Sequence, residues 1–217
     1  FSCTNVPFTG RKQFVAIPTS QMMSLSADSY NQVLQENEIS DNRNYVTMVE
    51  TVGQKMTSAV EGYLRENGQS GRIDEFTWKF TVLESEVLNA WCMPGGQIAF
   101  YEGIMPVCKD ETGVTVVMGH EIAHAIARHG NERMSQQLLI QLGGVALSEA
   151  LKNEKEQTMQ LAMLAFGVGS TLGVQLPYSR KHESEADELG IYFMAMAGYD
   201  PREAPLFWER MQAQGGE

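Results

Sequence analysis

Near the middle of the chain, His120-Glu121-Ile122-Ala123-His124 sets two histidines four residues apart, with a glutamate beside the first. The surrounding run, from about 112 to 129, has the apolar content of a helix and a stop at Gly130. An α-helix turns once every 3.6 residues, so both imidazoles leave one face and can reach a single ion. Glu121 then stands where it touches a water held by that ion. The helix is apolar on most sides and is expected to be central, with Gly119 and Ala123 small enough for a second helix to pack closely behind the site.

Two histidines do not complete a catalytic zinc site, which takes three protein ligands and leaves a place for water. The third ligand is expected from Glu183-Ser184-Glu185-Ala186-Asp187, at the start of a later helix. Glu183 and Asp187 are four apart and share a face, so Glu183 can complete a one-zinc site with His120 and His124. Asp187 can accept the outer N–H of a liganding histidine and fix its tautomer. Glu185 and Glu188 lie off that face and read as solvent-facing. His129 is expected to point away from the metal and to pack or cap the helix end, and His182 to face solvent.

The rest of the chain reads as one domain of 217 residues. Residues 1–20 carry Pro7, Gly10 and Pro18 without a helical period and are expected to be an extended arm on the surface of a domain spanning 21–217. Amphipathic helices are predicted over 21–38 and 45–66, the second stopping at Asn67-Gly68. Short β-prone runs at 76–83, 87–92 and 97–101, with the turn Pro94-Gly95-Gly96, predict a small sheet. Two helices are predicted over 133–176, split by a charged stretch at 152–156, and residues 135–176 are expected to form a flap over the metal site, or else an ordinary helical layer. Residues 159–176 have no charge and just reach the length of a membrane span, but their glycines and serine favour a packed helix. A last helix pair is predicted over 179–198 and 202–212.

Sixteen Lys and Arg against 27 Asp and Glu give a net charge of −11, which would repel a phosphate backbone, so no nucleic-acid partner is expected. The three cysteines, Cys3, Cys92 and Cys108, make neither a disulfide framework nor a C-x-x-C zinc site. Phe1-Ser2-Cys3 reads either as the end of a bacterial lipobox, with Cys3 lipidated, or as an arbitrary starting point. If Cys3 is an anchor, Cys92 and Cys108 remain as a pair for an oxidising compartment.

His-Glu-Ile-Ala-His, followed by Ser179-Arg180-Lys181-His182-Glu183-Ser184-Glu185-Ala186-Asp187, resembles metallopeptidase family forty-eight. Gly10-Arg11-Lys12-Gln13, Asn89-Ala90 with Pro94-Gly95-Gly96, and Ala197-Gly198-Tyr199-Asp200-Pro201 extend the resemblance over nearly the whole chain. Lacking multispanning segments and a repeat domain, the sequence is most similar to the small periplasmic lipoprotein peptidases of that family. The resemblance implies an α+β, mostly helical, zincin-like single domain with a small sheet packed on the His-Glu-x-x-His helix. It implies zinc ligands His120, His124 and Glu183, a general base Glu121, and a substrate edge along the strand around Asn89 to Met93, with Asn89, Ala90 and Trp91 as its substrate contacts.

The implied function is zinc-dependent hydrolysis of unfolded or misfolded envelope polypeptides, in a periplasm and with a membrane contact only through a lipid anchor at Cys3. The alternative is a zinc-stabilised, chaperone-like binding module with little turnover. Family members commonly carry a further histidine beyond the Gly-Tyr-Asp-Pro segment; this sequence has only His120, His124, His129 and His182. Either the natural protein continues or another donor, such as Tyr178 or Arg180, serves.

Overall fold

The computed structural model describes residues 2–215, without the side chains of Ser2 and Cys3, so lipidation at Cys3 lies outside the described residues. The fold is α+β and mostly helical, with two small sheets. Strands β1 (Ser2–Asn5) and β2 (Lys12–Val15) form an antiparallel hairpin. Strands β3 (Lys79–Leu83), β4 (Ala90–Met93) and β5 (Gln97–Tyr101) form a second sheet in the order β3-β5-β4, with β3 parallel and β4 antiparallel to β5. Gly95 and Gly96, with φ of 101° and 88°, supply the left-handed backbone that the tight β4–β5 turn requires. Strand β4 is therefore an edge, paired on one side only.

Helices α1 (Thr19–Glu36) and α2 (Arg43–Glu66) precede this sheet. The stripe Val49, Val52, Met56, Val60 and Leu64 of α2 is fully buried, as its three-and-four spacing predicts. Asn42 caps α2 by accepting from the amides of Asn44 and Tyr45. After the sheet come the short α3 (Met105–Cys108) and the central α4 (Glu111–Ile126), capped by Asp110, whose side chain accepts from the Gly113 amide. Helix α4 lies between β4, α2 and α7 (Leu176–Met196). The expected close packing occurs at one point: a Cβ on Gly119 would meet the carbonyl oxygen of Gly190 on α7 at 2.9 Å. Helix α8 (Glu203–Ala213) closes the core with Phe207 and Met211.

Two expectations are corrected here. The central helix ends at Ile126, not at Gly130, because Arg128 adopts a left-handed backbone (φ 54°). Such a conformation costs a non-glycine residue about 1–3 kcal/mol, and the ion pair of the Arg128 guanidinium with Glu75 fixes it. A new helix, α5 (His129–Ala150), starts at once in a different direction. The N-terminal segment, expected to lie on the surface, is anchored instead: Val6, Gln13 and Val15 are buried.

Helix α5 and helix α6 (Glu156–Ser170) make a helical hairpin in which Phe166 packs over Gly143 and Gly144. A π-helical turn (Thr171–Gln175) joins α6 to α7 just before Pro177, whose ring and missing N–H a regular helix does not accommodate. The run Glu156–Met196 is long and apolar enough to cross a membrane, and only 6% of its apolar window is buried. Leu142, Val145, Leu161, Leu164 and Leu172 are exposed, so this arm is not the packed helix that its glycines suggested.

Candidate metal centre and cleft

Helix periodicity puts His120 and His124 one turn apart on α4, and the Gly119–Gly190 approach brings α7 alongside. Glu183 lies two turns before Gly190 on α7, level with the two histidines. One donor atom each from His120, His124 and Glu183 lies within 4.8 Å of the others. The Nε2 atoms of the histidines are 3.0 Å apart, and Glu183 Oε2 lies 3.2 Å from the first and 3.5 Å from the second. Asp187, one turn after Glu183, accepts from Nδ1 of His120 at 2.9 Å.

Outer hydrogen bonds orient both rings. Asp187 on Nδ1 leaves Nε2 of His120 facing Glu183. His124 turns Nδ1 to Nδ1 of His129 at 2.9 Å, and His129 turns Nε2 to Oε2 of Glu185 at 2.9 Å. His129 therefore does not point away from the site, and Glu185 and His182 are buried where solvent exposure was expected. The turn at Arg128 is the reason: it swings His129 back over His124, a placement that no continuous helix gives. Glu188 is exposed, as expected.

The electrostatics follow from this geometry. Burial would lower the His120 pKa, but hydrogen bonds to Asp187 and Glu183 outweigh it and raise the pKa to about 10. Without a metal, the extra proton sits on Nε2 of His120, which faces Glu183. Hydrogen bonds from His120 and His124 hold the Glu183 carboxyl well below the usual range. Burial raises the Glu121 pKa against the pull of both histidines. Burial lowers His129 to about 4 despite Glu185, so that ring is neutral at pH 7. Two imidazole nitrogens, once they have given up their protons, and one carboxylate are a donor set that suits zinc.

Glu121 turns away from this cluster toward β4, where its Oε2 accepts from the Cys92 amide at 3.2 Å. That amide points off the sheet, and strand alternation puts the amide and carbonyl of Ala90 on the same free edge. Asn89 instead uses its carbonyl inside the sheet, accepting from the Tyr101 amide. Of the three residues expected to contact substrate, Ala90 thus offers its main chain and Asn89 and Trp91 line the cleft, while Cys92, within the expected edge, is the member whose amide meets Glu121.

The cleft has two lobes that share His120, Glu121 and Glu183. One, of about 330 Å³, runs past Met22, Met23, Phe76 and Trp91. The other, of about 630 Å³, runs past Leu88, Ala90 and Trp208. Trp208 packs edge-on against the His120 ring, with centroids 5.6 Å apart. No residue from 135–176 lines either lobe among the described residues, and Tyr178 lies in a separate groove with His182. Cys92 and Cys108 are both free thiols, so the pairing considered for them is not made.

Comparison with known sequences agrees with this site. A model of Peptidase family M48 matches residues 50–214. The mitochondrial metalloendopeptidase OMA1 of Schizosaccharomyces pombe is 29% identical over 98% of this chain, and that of Arabidopsis thaliana is 32% identical over 70%. The beta-barrel assembly-enhancing protease of Escherichia coli is 28% identical over 62% of the chain. The chain spans 58%, 30% and 28% of these three relatives. With the family model covering His120, His124, Glu183 and the three-stranded sheet, the chain belongs to peptidase family M48.

Proposed function

We propose that this chain is the catalytic domain of a zinc-dependent endopeptidase acting on extended segments of unfolded or misfolded proteins. The observation that carries the reading is the convergence of His120, His124 and Glu183 in mid-cleft, beside Glu121 and a free sheet edge. A centre with space on both sides along β4 suits cleavage within a chain better than removal of a terminal residue. Names of relatives that include metalloendopeptidases support it.

His120, His124 and Glu183 would hold zinc, which supplies Lewis-acid polarisation of the scissile carbonyl and acidifies a water. The remaining work falls to the chain. The main chain of Ala90 and Cys92 pairs with an extended peptide, as strand addition requires, without selecting side chains. Glu121 takes a proton from the attacking water and returns it to the leaving amine, and a carboxylate whose pKa is raised by burial is suited to both steps. Asp187 and His129 keep the two liganding rings in the tautomer with Nε2 free.

The natural setting is proposed to be the bacterial envelope, with a lipid anchor at Cys3. The lipobox-like start and the bacterial relatives support this; the mitochondrial relatives point to a different compartment. Fatty-acid labelling of the natural protein, lost on Cys3→Ser, tests it.

The activity is tested by incubating the zinc-loaded chain, and Glu121→Gln beside it, with a denatured protein. Fragmentation by the parent alone is expected. Equal fragmentation by both would remove Glu121 from the mechanism, and capture of the substrate without cleavage by the parent would replace the enzyme with a binding module.

A further inference from the structure

The N-terminal hairpin lies outside the family match at residues 50–214, yet it is built into the metal centre. Arg11 donates from Nε to Glu185 Oε2 at 2.7 Å, and from Nη1 and Nη2 to Glu132 Oε1 and Oε2 at 3.0 and 2.8 Å. Thr9 donates from Oγ1 to Glu185 Oε1 at 2.6 Å. Glu185 binds His129, Glu132 binds Nε2 of His182 at 2.9 Å, and the two imidazoles stack with centroids 4.3 Å apart and planes 15° apart. Arg11, two carboxylates and two histidines thus form a closed buried ring, and one of its members touches a metal ligand.

We propose that Arg11 is a positioning residue for His124, acting through Glu185 and His129 to keep the Nε2 lone pair of His124 directed at the metal. The inference rests on reading His120, His124 and Glu183 as the metal site. Its logic is proton accounting along one line of hydrogen bonds. Arg11 and Thr9 hold Glu185 as an acceptor with fixed oxygens. An ionised Glu185 can only accept, so His129 must carry its proton on Nε2. The 2.9 Å contact between Nδ1 of His129 and Nδ1 of His124 needs one donor, and a His124 that ligates through Nε2 supplies it from Nδ1. A neutral imidazole with its proton on Nδ1 has its lone pair on Nε2, the atom that faces His120 and Glu183.

Arg11 suits the task better than lysine would. Its planar fork reaches both carboxylates at once, three nitrogens to three oxygens, and so fixes their spacing beneath the stacked imidazoles. Glu132 lies in the first turn of α5 and Glu185 on α7. The guanidinium thereby ties α5, which starts at the Arg128 turn, to α7. A segment that precedes the matched domain thus sets the orientation of a side chain at its centre.

The test uses the whole chain. Histidine nitrogen NMR on the zinc-loaded protein is expected to show His124 protonated on Nδ1 and His129 on Nε2. Arg11→Gln should mix the His129 tautomers and weaken zinc binding ten- to a hundredfold in competition with a chromophoric chelator, and Arg11→Lys should restore the affinity only in part. His129 protonated on Nδ1 in the parent, or a folded Arg11→Gln whose zinc affinity stays within twofold, overturns the proposal. If Arg11→Gln does not fold, Thr9→Val and Glu185→Gln carry the same two readouts with the same thresholds. Unchanged zinc affinity in Glu183→Ala would instead sink the metal-site reading, which separates the two failures.

Discussion

Gly119 and Gly190 face each other across the α4–α7 contact so closely that a Cβ on Gly119 would stand 2.9 Å from the Gly190 carbonyl oxygen, and one on Gly190 would stand 3.0 Å from the His120 amide nitrogen. The atoms met are backbone, which cannot swing aside. Gly119→Ala should therefore push α7 outward, lowering stability by about 1–3 kcal/mol and weakening zinc binding, because Glu183 lies two turns along the displaced helix. Denaturant unfolding together with a zinc titration checks both effects. A variant that lost stability and kept full zinc affinity would show that the contact does not set the position of Glu183.

The ring around Arg11 predicts a loss of stability in acid. Burial would raise the pKa of Glu132 and Glu185, but hydrogen bonds from His182 and Arg11 to the first, and from His129, Thr9 and Arg11 to the second, bring both to about 2. A depressed carboxylate pKa contributes stability that is fully present above about 4.5 and is lost as pH falls toward 2. His129, lowered to about 4, works in the same direction at higher pH, because the unfolded chain takes up its proton below about 6.5 and the folded one does not until about 4. Urea midpoints should fall steadily from pH 6.5 to 3, and Glu132→Gln should flatten the lower part of that slope. A midpoint independent of pH over this range would contradict the ring as described.

Zinc binding should release a proton from His120. Its pKa of about 10 in the metal-free chain means that the ring is cationic at pH 7.5, and a metal takes the place of the proton on Nε2. Calorimetry in buffers of different ionisation enthalpy should report about one proton released per zinc. Asp187→Asn removes a carboxylate that favours the cation and should reduce that number. No proton release at pH 7.5 would mean that the ring is neutral before the metal arrives.

Thiol reactivity offers a direct check of the cysteine state. Cys108 is fully buried, and burial, the largest influence on it, raises its pKa to about 12. It should stay silent to a thiol reagent at neutral pH in the native chain and react once on unfolding, without prior reduction. A requirement for reductant would restore the disulfide that the structure separates.

Much of the site was legible in local spacing. Positions 120, 121 and 124 share a helix face whatever surrounds them, and so do 183 and 187. The α2 stripe and the turn glycines of β4–β5 were equally plain, since each depends on the periodicity of its own element. Which amides of the expected edge face outward was not legible, because edge polarity depends on which neighbour a strand pairs with: the β3-β5-β4 order, not the β4 sequence, turns the Cys92 amide toward Glu121.

His129, His182 and Glu185 were misread for a related reason. Helical spacing counted onward from His124 gives the direction of His129 only while the helix continues, and it stops at Ile126. One left-handed residue, held by Glu75 from a distant segment, resets the direction of all that follows. The sequence by itself determined which side chains share a face, 120 with 124 and 183 with 187, because each pair is written as an interval of four within a single helix. The tertiary structure alone decided what holds those ligands in place, because Arg11, Glu132, His129, His182 and Glu185 come together only when hairpin, turn and helices dock, and no local period encodes contacts across more than a hundred residues.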